Sequence, residues 1–405
     1  MGYEAQIARL FERSAFYRGK LRNAGFASPA DVGGIEGIAG LPFTEKDELR
    51  ASQAAHPPLG AHAAIDIGQA ARIYSTSGTS GVPLYIPLSR ADAEQWREIG
   101  RRTYSCNGLG AGERVVTTYG AGPFVAGASL IAFEAIGVAH IPVGVGNTER
   151  LLTAIERLKP GTLACTPSYA LYLTGRLKGS SVKRIIVGGE PGGGEAAFRG
   201  RIESALGVKL YEIMGIGDIA ASLWGECPEQ AGMHFSAQEW VHVELIDPDT
   251  GVPKNLSDGE TGELVYTHLA REAAPLLRFR SRDHVRVWTS PCACGRTSPR
   301  VRCIGRTDDM LIVRGVNVFP TAVREVVARY QPGVTGAIQI RPRTRGVKQD
   351  PPLPVVVEGE AGLAQAIAKE IRSVLMFTPE VRMVPPETLP HSDYKSKLVD
   401  YSEAA

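Results

Sequence analysis

Apolar side chains recur at helical spacing through residues 3–24, with Ile7, Leu10, Phe11 and Ala15 on one face, and this predicts an amphipathic helix. From about residue 70 to 220 the pattern alternates. Strand-like runs (Val115-Val116-Thr117-Thr118, Leu163-Ala164-Cys165-Thr166, Arg184-Ile185-Ile186-Val187, Lys209-Leu210-Tyr211-Glu212-Ile213) are separated by segments with helical spacing at 149–159, 168–178 and 195–206. Such alternation predicts a mostly parallel sheet with helices on its faces. Over 238–288 the period falls to two (Val241, Val243, Leu245) around the turn Asp247-Pro248-Asp249-Thr250-Gly251, which predicts an antiparallel subdomain. After Gly305-Arg306-Thr307-Asp308-Asp309 come a strand (310–314), a helix (321–330), a strand (334–340), a Pro/Arg-rich loop (341–354), a strand (355–358), a helix (361–375) and a final strand. The expected fold is α/β: a large N-terminal domain over 1–305, with α/β sheets and an antiparallel subdomain, and a small C-terminal α+β domain over 306–405.

Composition narrows the partners. The chain has 405 residues, 43% hydrophobic and 22% charged, as an ordinary globular protein with a substantial core would have. A net charge of +2 gives no argument for nucleic acid or an anionic membrane. No run approaches the roughly 18 apolar residues that span a bilayer. Met-Gly-Tyr-Glu-Ala-Gln lacks the basic–apolar pattern of a signal peptide, and Gln6 spoils a myristoylation match, so the expected location is the cytoplasm. The six cysteines do not form the framework of a small secreted chain. Cys106, Cys165 and Cys303 are expected to be buried small hydrophobes, whereas Cys227, Cys292 and Cys294 sit in turn-like sequence.

The densest chemistry lies at residues 74–84, where Ser75, Thr76, Ser77, Thr79 and Ser80 alternate with Gly78 and Gly81 ahead of Pro83. Glycines let backbone N–H groups approach a polyphosphate, and hydroxyls donate to its oxygens. No Lys-Ser/Thr follows the second glycine, so this is not a Walker A loop. An apolar lead-in and the strand-like Leu84-Tyr85-Ile86 argue against a flexible linker. Four further clusters follow in order. Gly188-Gly189-Glu190-Pro191 succeeds a predicted strand, where open α/β sheets bind ligands. Tyr211 to Asp218 is a strand ending in glycines and a carboxylate, Arg278 to Asp283 sets one acid among basic residues, and Gly305 to Pro320 bridges the two domains.

The ensemble resembles the adenylate-forming superfamily of acyl-CoA synthetases, luciferases and adenylation domains. Within it the chain looks like the phenylacetate–CoA ligase family. The residues that carry the resemblance are Thr166-Pro167-Ser168-Tyr169-Ala170-Leu171, Gly189-Glu190-Pro191, Cys292-Ala293-Cys294-Gly295-Arg296-Thr297 and Arg314-Gly315-Val316-Asn317-Val318-Phe319-Pro320. The resemblance implies two half-reactions. A carboxylate attacks the α-phosphate of MgATP to give an acyl-adenylate, and a thiol, usually of coenzyme A, then takes the acyl group while a mobile small domain changes orientation. It also implies roles. Residues 75–81 hold the β- and γ-phosphates, Gly189, Glu190 and Pro191 line the adenine pocket, and Asp283 accepts from the ribose hydroxyls with Arg306 nearby. Asp308 is the hinge, Gly315 borders the thiol channel, Lys395 is the catalytic lysine, and Tyr119, Phe124, Met214 and Gly215 form the acyl pocket. Phe124 is equally readable as simple core.

Two positions depart from the family pattern. Met214-Gly215-Ile216-Gly217-Asp218 stands where Tyr-Gly-Leu-Ser-Glu is usual, so Asp218 is expected to hold Mg²⁺ on a shorter arm. Its alternative role is recognition of an amino or hydroxyl substituent on the acid. Tyr394 replaces the glycine usual before the lysine. Separately, Cys227, His234, Cys292 and Cys294 make a complete tetrahedral zinc donor set if folding unites them, and otherwise are unliganded turn residues or redox thiols. The function expected is ATP-dependent activation of a carboxylic acid, aromatic by resemblance, and its transfer to coenzyme A, with a homodimer allowed. The alternatives are transfer to an amine or a carrier-protein thiol, or a weakened nucleotide-binding regulator.

Overall fold

In the computed structural model, which describes residues 2–76, 83–120, 125–144, 146–314, 316–390 and 398–404, the first helical stretch is broken. Tyr3–Arg13 and Ala15–Asn23 are separate helices meeting at Ser14, whose backbone is extended. The Ser14 hydroxyl accepts from Tyr17 N and donates to Ala61 O, as a serine at an N-cap does. The apolar spacing runs through the break because both helices bury Ile7, Leu10, Tyr17 and Leu21 in the same core. The helix expected over 168–178 is also shorter, Pro167–Tyr172. Thr174 ends it by donating its hydroxyl to Leu171 O.

Twelve strands form one continuous sheet. Its parallel half runs in the order Ala139–Pro142, Arg114–Thr117, Thr162–Cys165, Arg184–Val187, Lys209–Ile216. Every residue of Thr162–Cys165 is buried, as expected when helices cover both faces. Lys209–Ile216 pairs parallel with Arg184–Val187 on one side and antiparallel with Ala220–Glu226 on the other. From that join the sheet continues antiparallel through Met233–Phe235, Arg300–Arg306, Phe279–Trp288, Thr261–His268, Val241–Ile246 and Pro253–Lys254. The expected antiparallel region is thus continuous with the parallel half through Lys209–Ile216, and it begins at residue 220 rather than 238. The turn after Ile216 reverses the chain without a helix, and the following strand is buried on both faces, which hides any period of two.

Residues 311–401 build a core of their own around Leu311, Val323, Val327, Val355, Ile367 and Ile371. The helices Pro320–Ala328 and Ala364–Leu375 pack with the sheet of Val334–Ile340, Leu353–Gly359 and Pro379–Val384. The expected loop over 341–354 contains a two-residue strand, Lys348–Gln349, parallel to Leu311–Val313 and too short to leave a pattern. Against the rest of the chain, Thr321 Oγ1 donates to Ile304 O, Arg201 donates to Thr335 O, and the Phe319 ring stacks on His284 with centroids 5.2 Å apart. Among the described residues, no helix is long and apolar enough to cross a membrane.

Candidate active site

The parallel strands end together at their carboxyl edge, where the chain must leave the sheet and side chains of successive loops converge. A cavity of about 230 Å³ opens there. Its lining takes in Ser75, Thr76, Tyr119, Gly189, Glu190, Pro191, Met214, Gly215, Asp218, Asp283 and Arg306, which come from well-separated parts of the chain. Ser77, Gly78, Thr79, Ser80 and Gly81, together with Phe124, Gly315 and Lys395, lie outside the described residues.

Each wall has a local cause. Arg72–Ser75 and Tyr85–Leu88 pair antiparallel, and Thr76 N donates to Leu84 O while Leu84 N donates to Thr76 Oγ1. The hydroxyl-rich loop therefore springs from a closed hairpin base, with Tyr74 stacked on Trp96. Glu190 accepts from Ser168 N at 2.6 Å, which ties the Gly189–Pro191 loop to the start of the helix Pro167–Tyr172. Tyr119 donates its hydroxyl to Cys165 O at 3.1 Å. Gly215 meets the returning strand so closely that a Cβ would lie 2.2 Å from Ala221 O, so the glycine is required by the hairpin itself.

Asp283 and Arg306 are register partners on adjacent strands. Arg306 Nη1 donates to Asp283 Oδ1 at 3.1 Å, while Nε and Nη2 grip both oxygens of Asp308 at 2.9 and 2.8 Å. Burial opposes the guanidinium charge, but Asp283 and Asp308 outweigh it and push its pKa further up. One cation thus joins the cavity acid to the acid expected at the hinge.

Asp218 is buried, and its Oδ2 takes Lys46 Nζ at 2.8 Å. Its Oδ1 is buried without a hydrogen-bond partner among the described residues. Lys46 was not singled out from the sequence. It opens the helix Lys46–Ala55 two residues after Thr44, which bridges to Phe279. Arg278 fixes the same segment by donating to Ala39 O and Leu41 O and lying 4.1 Å from the Phe43 ring centre. Glu212 is the second unanticipated lining residue, and a carboxylate inside an apolar strand is a signal that could have found it. Its amide donates to Glu226 Oε2, which also takes Arg199 Nη2. Burial, then the nearby Glu226, pushes the Glu212 carboxyl up to about 7. Tyr104, Ser129 and Cys303 complete this part of the lining. Cys303 is half-buried against the cavity rather than a core residue.

A second constellation forms at the other end of the antiparallel strands. Cys227 follows Ala220–Glu226, His234 lies in Met233–Phe235, and Cys292 and Cys294 belong to the loop before Arg300–Arg306. Their four donor atoms lie within 4.8 Å of one another, with Cys227 Sγ to Cys292 Sγ at 3.7 Å and Cys294 Sγ to His234 Nε2 at 3.5 Å. Burial, then Arg296 and Arg300, holds the imidazole down to about 4, the neutral form that ligates metals. Burial opposes a thiolate at Cys294, but the amide and guanidinium of Arg296 prevail and bring it down to about 7. Cys106 is buried, as expected, and packs beside this cluster.

Residues 315–401 match the family of the AMP-binding enzyme C-terminal domain. The whole chain is similar to the phenylacetate–coenzyme A ligase of Thermus thermophilus, 34% identical over 418 residues, covering 96% of this chain and 92% of the relative. A solved structure of 2-hydroxyisobutyryl-CoA ligase in the postadenylation state, in complex with 2-HIB-AMP, superposes with a TM-score of 0.88 at 25% identity, covering 99% of this chain and 89% of that one. The same ligase in complex with 2-HIB-AMP and CoA in the thioesterification state gives 0.70 at 26% identity, covering 98% and 89%. With a relative this similar over almost its full length, the chain belongs to the phenylacetate–CoA ligase family of the adenylate-forming superfamily, the AMP-forming acid–thiol ligases.

Proposed function

We propose that this chain activates an aromatic carboxylic acid with ATP and passes the acyl group to coenzyme A. The observation that carries this reading is the convergence of the hydroxyl-rich loop base, the Gly189–Pro191 loop, Asp218, Asp283 and Arg306 on one cavity. In the first step a carboxylate oxygen attacks the α-phosphorus, the bond to the bridging β-phosphate oxygen breaks, and pyrophosphate leaves. In the second the coenzyme A sulfur attacks the acyl carbon, its proton is lost, and AMP departs with the electron pair of the C–O bond.

Residues 75–81 would embrace the β- and γ-phosphates, Gly189 to Pro191 the adenine, and Asp283 the ribose. Glu212 lines the same cavity, beside Gly193 and Gly194, with a carboxyl that would be able to meet an exocyclic amine. Lys46 supplies a cation beside Asp218, where phosphate and carboxylate charge would be brought together. The orphaned Asp218 Oδ1 fits a hard cation, so Asp218 would hold Mg²⁺, which shields phosphate charge when bound. Lys395 would be the lysine that stabilises the adenylation transition state, Asp308 the hinge, and Tyr119, Phe124, Met214 and Gly215 the acyl pocket. ATP–pyrophosphate exchange with a panel of acids led by phenylacetate, followed by thioester formation with and without coenzyme A, tests the reading. Exchange without thioester formation would favour an amine or carrier-protein acceptor, and no acid-dependent exchange would overturn it.

The second constellation supports a structural zinc. A tetrahedron with Zn–S near 2.3 Å and Zn–N near 2.05 Å sets S···S at about 3.8 Å and S···N at about 3.6 Å. The observed 3.7 and 3.5 Å fit both edges. Four protein ligands leave no open position, so the ion would join two strand ends and a loop and take no part in catalysis.

A further inference from the structure

We propose that Arg324 is a positioning residue that latches the C-terminal unit to the Gly189–Pro191 loop and thereby holds the arrangement used for adenylation; this rests on the ligase reading above. Arg324 lies on the helix Pro320–Ala328 of that unit, and its side chain is only 8% exposed. Its Nη2 donates across to Pro191 O at 2.7 Å and to Glu195 Oε1 at 3.2 Å, and the guanidinium stands 5.8 Å from the Phe198 ring centre. The loop is shaped around this cation. At Gly192, between the two acceptors, φ is +122° and a Cβ would fall 1.9 Å from Arg324 Nη2, so any side chain there would push the guanidinium from its place.

The other cross-contacts, Thr321 to Ile304 O, Arg201 to Thr335 O and the Phe319–His284 stack, set a hydroxyl or a guanidinium on a carbonyl and one ring on another, and none pairs opposite charges. Arg324 differs because rotation of the unit strips a buried cation and a half-buried carboxylate of each other at once, and both must then be hydrated. Pro191 lines the cavity, so a nucleotide that fixes this loop also fixes the latch's acceptor. Occupancy and orientation are then linked, and the link is reciprocal. The chain is closer in arrangement to its relative's postadenylation state than to the thioesterification state.

The test uses the full chain and AMP as the probe. Hydrogen exchange is followed over 188–195 and 320–328 in wild type, R324Q, R324K and G192A, the last displacing Arg324 from the opposite side. AMP should slow exchange over 320–328 in wild type and in R324K, and should not do so in R324Q or G192A. Pyrophosphate exchange with phenylacetate should fall about tenfold in R324Q, a typical coupling, while thioester formation from synthetic phenylacetyl-adenylate and coenzyme A stays within about twofold. Absence of AMP protection over 320–328 in wild type, its persistence in R324Q and G192A, or equal loss of both half-reactions overturns the latch. Absence of pyrophosphate exchange with every acid sinks the ligase reading instead, and the AMP protection still decides the latch.

Discussion

At Asp218 two oxygens have different fates: one holds Lys46 and the other is buried and unpartnered. Asp218→Asn keeps the shape and removes the charge, so adenylation should slow by about ten- to a hundredfold and require more Mg²⁺. Mg²⁺ titration of pyrophosphate exchange checks this, and an unchanged titration with altered acid selectivity would give Asp218 to substrate recognition. Glu212 makes a pH prediction. Its carboxyl keeps a proton in the folded chain up to about 7, held there by burial and then Glu226, whereas it ionises near 4.5, as an ordinary glutamate does, once unfolded. The folded state binds more protons between those values, so this contribution to stability is full below about pH 4.5 and fades as pH rises through 7. Glu212→Gln removes it. The melting temperature of that variant relative to wild type should climb by several degrees between pH 5 and 7.5, the full effect being at most about 3 kcal/mol. Parallel melting curves across that window would refute the assignment.

At the scale of elements, the strand that ends before Cys227 pairs with the strand that carries His234, and a zinc would tie the loop that carries Cys292 and Cys294 to both. Purified protein should contain about one zinc per chain, measured by metal analysis without chelator. Cys292→Ser should lower the melting temperature by several degrees and leave the KM for ATP within about twofold, because none of the four donors lines the cavity. Metal-free protein of unchanged stability would return these residues to unliganded thiols.

For the whole molecule, Arg306 joins the cavity acid Asp283 to Asp308, so the residue proposed to absorb the rotation is wired to the proposed nucleotide site. Asp308→Pro should restrict the hinge, sparing adenylation while thioester formation falls by about a hundredfold or more. Lys395→Ala should do the reverse, lowering acyl-adenylate formation by orders of magnitude and sparing thioester formation from supplied adenylate. Separate assays of the two half-reactions check both variants, and equal loss of both reactions in either variant would refute its role.

Contiguous motifs were legible because backbone geometry demands them locally. A glycine–hydroxyl loop between strands, a Gly-Gly-Glu-Pro run after a buried strand and the Arg306–Asp308 segment announce themselves within a few residues, and the alternation of strand and helix periods announces the parallel sheet. What sequence could not show is which distant residues meet. Lys46 reaches Asp218 across 172 positions only because Thr44 bridges to the strand of Phe279. The donor types of the proposed zinc site were visible, but their spacing depends on two strand ends and a loop arriving together. The break at Ser14, the single continuous sheet and the fit of Arg324 against Gly192 were likewise decided by packing. Periodicity reports one element's buried face, whereas tertiary structure alone chooses what that face meets.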